Sequence, residues 1–396
     1  MRRRAFLATA GTLLTAGCGA LTGGNGGGSS DGPPKHRDDI GVDPSFDENV
    51  RIDNPDVEGN VRDVDANIDG EFSVDINVSD IDGEVDANIG ANLGDDRGTA
   101  TPENQKATKY IMKARDELTT AHQEYAKQAS NRNSILAVRP TLGSFSWLPI
   151  KRHVKKAMDH LEEGAKYARG GQANNVLALE HAGYFLLLGA KADGRLIKAF
   201  KHFKFSRDRL YNESLVQSTI ARRRMNTDWK EARDIYRELD KKIKPEGLNV
   251  LSQLDERYYE RKNRQLDNGI AAFIEFDDSL KAAKQGLERV EPGVDAYLGD
   301  EFERAVDEFT RASARFGVAN SPLTVTRDKT GLASVARDFH TVIKTMEQAT
   351  EDLRRSSQGK VDGDRLIYYE AQRSAKQHIE SNETVKDISS FEDIRL

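Results

Sequence analysis

Cysteine occurs once in the 396 residues, at Cys18, where it is the chain's single soft nucleophile. It closes the run Thr15-Ala16-Gly17-Cys18, in which small residues admit a peptidase and the thiol suits thioether lipidation. A single cysteine excludes a disulfide framework and any multi-cysteine metal site. Histidines stand at 36, 122, 153, 160, 181, 202, 340 and 378. None follows a glutamate by three residues, so a diiron Glu-x-x-His pattern is missing. No two lie four apart, so the helical zinc pair is missing too. His153 and His160 share a helix face two turns apart and read as partly exposed bundle residues. No G-x-x-x-x-G-K-[ST] phosphate loop and no G-x-S-x-G turn occurs. Carboxylate pairs such as Glu162-Glu163 and Asp277-Asp278 read as solvated faces, because acid–base work needs a pocket the sequence does not show. No catalytic residue, cofactor or metal ligand is assigned, and the chain reads as a non-enzyme. The alternative is an anchored enzyme whose dispersed histidines and carboxylates meet in a helical-bundle cleft.

One basic-aromatic stretch remains: Lys198, Phe200, Lys201, His202, Phe203, Lys204, Phe205, Arg207 and Arg209, with Arg222-Arg223-Arg224 further on. Its lysines and arginines suit a polyanion. The competing and favoured reading is a core helix with Phe200 and Phe203 inward and the long cationic side chains covering its flanks. Nucleic acid is not favoured as a partner. In molar salt the Debye length falls to ~3 Å, which weakens binding by charge alone.

The N-terminus carries an address. Arg2, Arg3 and Arg4 precede the short apolar stretch Ala5–Ala16, and Arg3-Arg4-Ala5-Phe6-Leu7 resembles a twin-arginine export motif. Thr15-Ala16-Gly17-Cys18 resembles a lipobox. Together they resemble the twin-arginine-exported lipoproteins of haloarchaea, and the resemblance covers about the first 18 residues. It implies that Arg3, Arg4, Phe6 and Leu7 are read by the export machinery. It also implies that Cys18 becomes the lipidated N-terminus, leaving the protein anchored in the cell membrane and facing outside. The partners then expected are the membrane, through Cys18, and a cell-surface protein or glycan.

Charge and pattern divide the rest. Residues 1–30 carry three arginines and no acid, whereas residues 31–101 carry 20 acids against five bases. Residues 102–396 hold 45 acids and 51 bases. No uncharged apolar run reaches the ~20 residues that span a bilayer, which excludes a multi-pass membrane protein. The divisions expected are a signal peptide at 1–17, a lipid-anchored Gly/Ser/Asp-rich linker at 18–60 and an acidic segment at 61–96. A helical body at 101–381 and a C-terminal tail at 382–396 follow.

Within 61–96, apolar and polar residues alternate, and Asp69-Gly70 and Asp82-Gly83 stand between the runs. Period two with Asp-Gly turns fits a small β-meander, and a disordered acidic spacer is the alternative. Asp65, Asn67, Asp69 and Gly70 match half of an EF-hand loop, but Ile76 stands where the bidentate acid belongs.

From Thr101 the period changes to that of helices. Thr101-Pro102 reads as an N-cap followed by proline at the first helical position. Stripes such as Ala107, Ile111, Ala114, Leu118, Ala121 and Tyr125 repeat along the chain. The spacing predicts a helix over 176–192 broken at Asp193-Gly194, and a capping box at Asp228 and Glu231. It predicts a long helix over 248–290 ended by Pro292-Gly293, and a last helix over 366–379. The prolines at 140, 149, 245, 292 and 322 are expected between helices. The loop from Leu142 to Pro149 is expected to fold back over the end of the bundle. Helices with one apolar seam and one charged face must pack side by side. The fold expected is therefore mainly α: a multi-helix antiparallel bundle or coiled-coil array, preceded by a flexible acidic linker. A tetratricopeptide-like repeat adaptor is a further alternative. Gly299-Asp300 ahead of Ala305, Phe309 and Ala312 suggests it, but no 34-residue period persists. The function expected is that of a lipid-anchored helical binding or scaffolding module at the cell surface.

Overall fold

A computed structural model describes residues 101–129, 134–323, 331–392 and 394. The signal, lipobox, linker and β-meander readings at 1–96, and the half EF-hand within them, lie outside the described residues. Everything described is helix or connection, and the architecture is a multi-helix antiparallel bundle.

The eight longer helices are α1 (Pro102–Lys127), α2 (Leu148–Ala165), α3 (Gly171–Tyr211), α4 (Leu215–Lys242), α5 (Glu256–Leu298), α6 (Phe302–Asn320), α7 (Ala333–Val361) and α8 (Arg365–Glu380). Their lengths range from 16 to 43 residues without a repeating unit. Helix α1 begins where the sequence says it should. The Thr101 hydroxyl accepts from the Asn104 N–H at 3.3 Å, and Pro102 takes the first turn. The predicted stripe from Ala107 to Tyr125 is buried in full.

Three helical hairpins, α3–α4, α5–α6 and α7–α8, turn in the same way. In each, a residue in the left-handed region follows the helix: Glu213 at φ 52°, Asp300 at φ 59° and Gly363 at φ 73°. The next N–H then reaches back five residues, from Ser214 to Arg209 O, from Glu301 to Ala296 O and from Asp364 to Gly359 O, at 2.8–2.9 Å. This pairing satisfies carbonyls that a helix end leaves open. Turns this short force neighbouring helices to run antiparallel.

Small residues set how closely the hairpins approach. On α5, Gly286 and Gly293 lie seven apart and face Phe316 and Phe309 of α6, also seven apart. A Cβ on Gly293 would stand 2.7 Å from the Phe309 ring, and one on Gly286 would stand 2.6 Å from Phe316. Ser206 and Ser218 exchange hydroxyl-to-carbonyl bonds at 2.8 Å between α3 and α4. Farther in, Phe203 of α3 stacks on Phe276 of α5 at 4.2 Å and meets Phe339 of α7 edge-on at 5.6 Å. These rings tie three hairpins into one apolar core that extends from Ala107 to Ile394.

Several boundaries differ from expectation, each for a tertiary reason. Helix α3 runs unbroken through Asp193-Gly194 because Asp193 is buried against a cation from another helix. Asp228 and Glu231 cap nothing, because α4 starts at Leu215 and carries both within it. Both side chains instead engage Arg195 of α3, at 3.3 and 2.7 Å. The long helix starts at Glu256, after a 3-10 turn over Pro245–Val250, and passes through Pro292 to Leu298. Proline there removes one helical bond, while its neighbour Gly293 seats the Phe309 ring. Pro149 also lies inside a helix, in the first turn of α2. The last helix extends one residue beyond the expected span at each end. Residues 382–396, read from the sequence as a tail, contain the one-turn helices α9 (Glu383–Lys386) and α10 (Ser389–Glu392). Their Val385, Ile388 and Phe391 are buried in the same core.

Candidate functional site

The most unusual chemistry lies inside the bundle, where α1, α3 and α5 meet. Lys262 of α5 is wholly buried and donates to the Asp193 carboxylate at 2.5 Å. The phenol of Tyr125, from α1, donates to the same carboxylate oxygen at 2.5 Å. Burial pushes the Asp193 carboxyl up, against the opposing pull of Lys262 and Tyr125. Burial likewise draws Lys262 down, against the pull of Asp193. The Tyr125 hydroxyl is driven well above its ordinary range by burial and then by the Asp193 charge. A buried pair of this kind costs desolvation, and removing either member strands the other.

The network also holds a connection in place. Lys262 Nζ donates to the Ile135 carbonyl at 3.2 Å and to Gln265 Oε1 at 3.2 Å. Gln265 Nε2 donates to the carbonyls of Val138 at 2.7 Å and Leu136 at 3.3 Å. Tyr258 and Ser134 share a hydroxyl hydrogen bond of 2.8 Å. Tyr258, Lys262 and Gln265 lie four and three residues apart on α5, so they form one ridge. That ridge grips the segment from Ser134 to Val138 and so fixes the next residues, Arg139 and Pro140.

A second ridge on α5 lies one residue behind the first: Arg257, Arg261, Arg264 and Asn268 at steps of four, three and four. Three of these, Arg261, Arg264 and Asn268, line a depression of about 500 Å³ together with Arg139, Gln265 and Gly331. A Cβ on Gly331 would come within 3.2 Å of the Arg139 stem, so the start of α7 packs directly against that side chain. Among the described residues no acidic one lines the depression.

The structure places the residues singled out by sequence as follows. Lys198 is half-buried, Lys201 and Lys204 are exposed, and Phe200 and Phe203 point into the core. Arg207 pairs with its neighbour Asp208 at 2.8 Å, and the Arg209 guanidinium lies 4.8 Å from the centre of the exposed Phe205 ring. These five cations extend roughly 16 Å along α3. They form a flank over a core helix, not a cluster. Arg222 is held across α4 and α5 by Asp277 at 2.7 Å. The loop before α2 folds back as expected: Phe145 meets the Tyr125 ring at 5.7 Å, and Gln128 bonds Ser146 at both its N–H and its carbonyl.

The described histidines are spread over several helices. His153 contacts Glu117 at 2.6 Å, and His202 lies 3.5 Å from Asp228. His160 lies near Tyr110, and His181 lies against Gly247. Among the described residues no group of three or more His, Cys, Asp or Glu is placed to hold a metal ion. Also among them, no helix is long and apolar enough to cross a membrane. Cys18, Arg3, Arg4, Phe6 and Leu7 lie outside the described residues.

Sequence reasoning missed both Lys262–Asp193 and the arginine-lined depression. The first pairs residues 69 apart in sequence, which no local pattern reveals. The second had a visible half, the four-three-four spacing on α5, and a hidden half, Arg139 on a separate connection. Comparison of the chain with protein-family models, with curated proteins and with solved structures returned no match.

Proposed function

We propose that this protein is a lipid-anchored, outward-facing binding module, held at the cell membrane through Cys18 and presenting its helical bundle to partners outside. The observation that carries the reading is the Thr15-Ala16-Gly17-Cys18 run with the chain's sole cysteine at its end, behind Arg3-Arg4. A diacyl group at that thiol contributes about 0.8 kcal/mol per buried methylene, so two long chains give stable anchorage. The run from Gly19 to Pro34, rich in Gly and Ser, suits a spacer between membrane and bundle.

The geometry of the described body supports binding as its work. Its interior, among the described residues, is filled by packed apolar side chains around the buried Lys262–Asp193 pair. Polar chemistry is offered at the surface, including the depression lined by Arg139, Arg261 and Arg264. Crosslinking on intact cells of the source organism tests the reading. Recovery of a specific surface protein or glycan on the bundle supports it, and recovery of no partner under conditions that capture a control surface complex overturns it.

A further inference from the structure

We propose that the depression bounded by Arg139, Arg261 and Arg264 is a binding site for a small phosphate- or sulfate-ester ligand, such as an esterified sugar. This deepens the reading above by giving the module a ligand class. Three arginines from two separate elements line one concavity, and among the described residues no carboxylate lines it with them. Some other arginines of this surface sit beside a carboxylate one turn away, as the exposed Arg304 does with Glu301 at 2.9 Å and the half-buried Arg354 with Glu351 at 2.7 Å. Here, among the described residues, the acid within ion-pair distance is Glu260, which reaches Arg264 at 3.8 Å, with both side chains largely exposed. An exposed pair of that kind contributes little. Arg139 and Arg261 have no carboxylate within ion-pair distance among the described residues.

The arrangement is also held in advance. A loop arginine would ordinarily drift away from two like charges. The backbone leading to Arg139 is held in place, because Lys262 and Gln265 bond the carbonyls of Ile135, Leu136 and Val138, and Gly331 lies against the Arg139 stem. A backbone held in this way leaves less ordering to be lost when an anion binds. The planar fork of a guanidinium matches two oxygens of a tetrahedral oxyanion, which favours phosphate or sulfate over halide. Half-buried Asn268 adds an amide suited to a hydroxyl. The volume, about 500 Å³, falls in the range of small-ligand sites and exceeds what a bare ion needs.

The test is a calorimetric titration of the purified full chain with glucose 6-phosphate, glucose 6-sulfate and inorganic pyrophosphate. It is run in about 1 M NaCl, where the Debye length of ~3 Å leaves only contact interactions. The expected result is saturable binding of at least one sugar ester. Arg261→Gln and Arg139→Gln should each weaken it about tenfold or more, as loss of a charge-assisted hydrogen-bonding pair does. Asn268→Leu, which fills the depression without altering its charge, should weaken it too. Lys201→Gln, on the α3 flank, should leave it unchanged. Binding untouched by the Arg139, Arg261 and Asn268 substitutions overturns the proposal, as does the lack of saturable binding by any probe. Binding of phosphatidylglycerol vesicles that depends on these arginines, with no sugar ester bound, also overturns it and assigns the surface to lipid. Because Cys18 plays no part in the titration, failure here is distinguishable from failure of the anchor.

Discussion

Replacing Lys262 by Met should be among the most damaging single changes in the bundle, and the damage should be relieved by a second change at Asp193. Lys262 is 0% exposed and Asp193 only 4%. Removing the cation leaves a carboxylate in the interior with Tyr125 as its remaining side-chain donor. It also frees the Ile135 carbonyl from Nζ. Breaking a buried pair at one end typically costs about 3–5 kcal/mol. Asp193→Leu alone strands the ammonium and the Tyr125 hydroxyl and should cost a similar ~3–5 kcal/mol. In the double variant no charge is stranded. What remains is the unpaired phenol and the loosened loop, about 1–3 kcal/mol together by the cost of unmade hydrogen bonds. The expected coupling is therefore at least about 3 kcal/mol, well beyond the scatter of additive pairs. Urea unfolding of the four proteins, followed by helical circular dichroism at one pH, gives the four free energies of the cycle. Additive losses would refute the reasoning, because they would mean that neither charge depends on the other.

Asp228 gives a pH prediction. Burial, opposed by Arg195 and Lys198, pushes its carboxyl up to about 6. A raised folded-state value stabilises fully below the unfolded value near 4, and this contribution is lost as pH rises through about 6. The shift corresponds to about 3 kcal/mol at most. The stability of Asp228→Asn relative to the parent should accordingly rise between pH 4 and pH 7, and a flat difference in urea titrations across that range would contradict it. Asp300 holds a left-handed conformation that costs a residue with a side chain about 1–2 kcal/mol. Asp300→Gly should raise the thermal midpoint, with a net gain of about 1 kcal/mol after the added flexibility of the unfolded chain. Gly293→Val places atoms where the Phe309 ring stands, 2.7 Å from the position of a Cβ. The overpacking should destabilise the α5–α6 hairpin by about 1–3 kcal/mol in denaturant unfolding, and Phe309→Ala in the same chain should partly offset it.

The sequence showed most of the helices because their seams are periodic and their caps are local. Thr101-Pro102, the stripe from Ala107 to Tyr125 and the last helix near Leu366 needed nothing beyond their own neighbours. The errors fall where a distant partner overrides a local signal. Asp193-Gly194 looks like a break until Lys262 neutralises Asp193. Pro292-Gly293 looks like an end until Phe309 is laid against Gly293. Asp228 and Glu231 look like a cap until Arg195 of the preceding helix is found between them. The candidate site was half legible for the same reason: Arg261 and Arg264 share a face by spacing, while Arg139 joins them only because Lys262 and Gln265 hold its loop. The aromatic-basic stretch on α3 behaved as a core helix should, with Phe200 and Phe203 buried.

The central claim, a bundle tethered outside the membrane by its one sulfur, is tested most directly by the N-terminus of the protein isolated from cells. Mass spectrometry of the membrane fraction should find a chain beginning at a diacylated Cys18 and accessible to protease on intact cells. The Cys18→Ser variant should leave that fraction. A chain recovered from the cytosol with Met1 through Gly17 still attached, and shielded from external protease, would contradict the account.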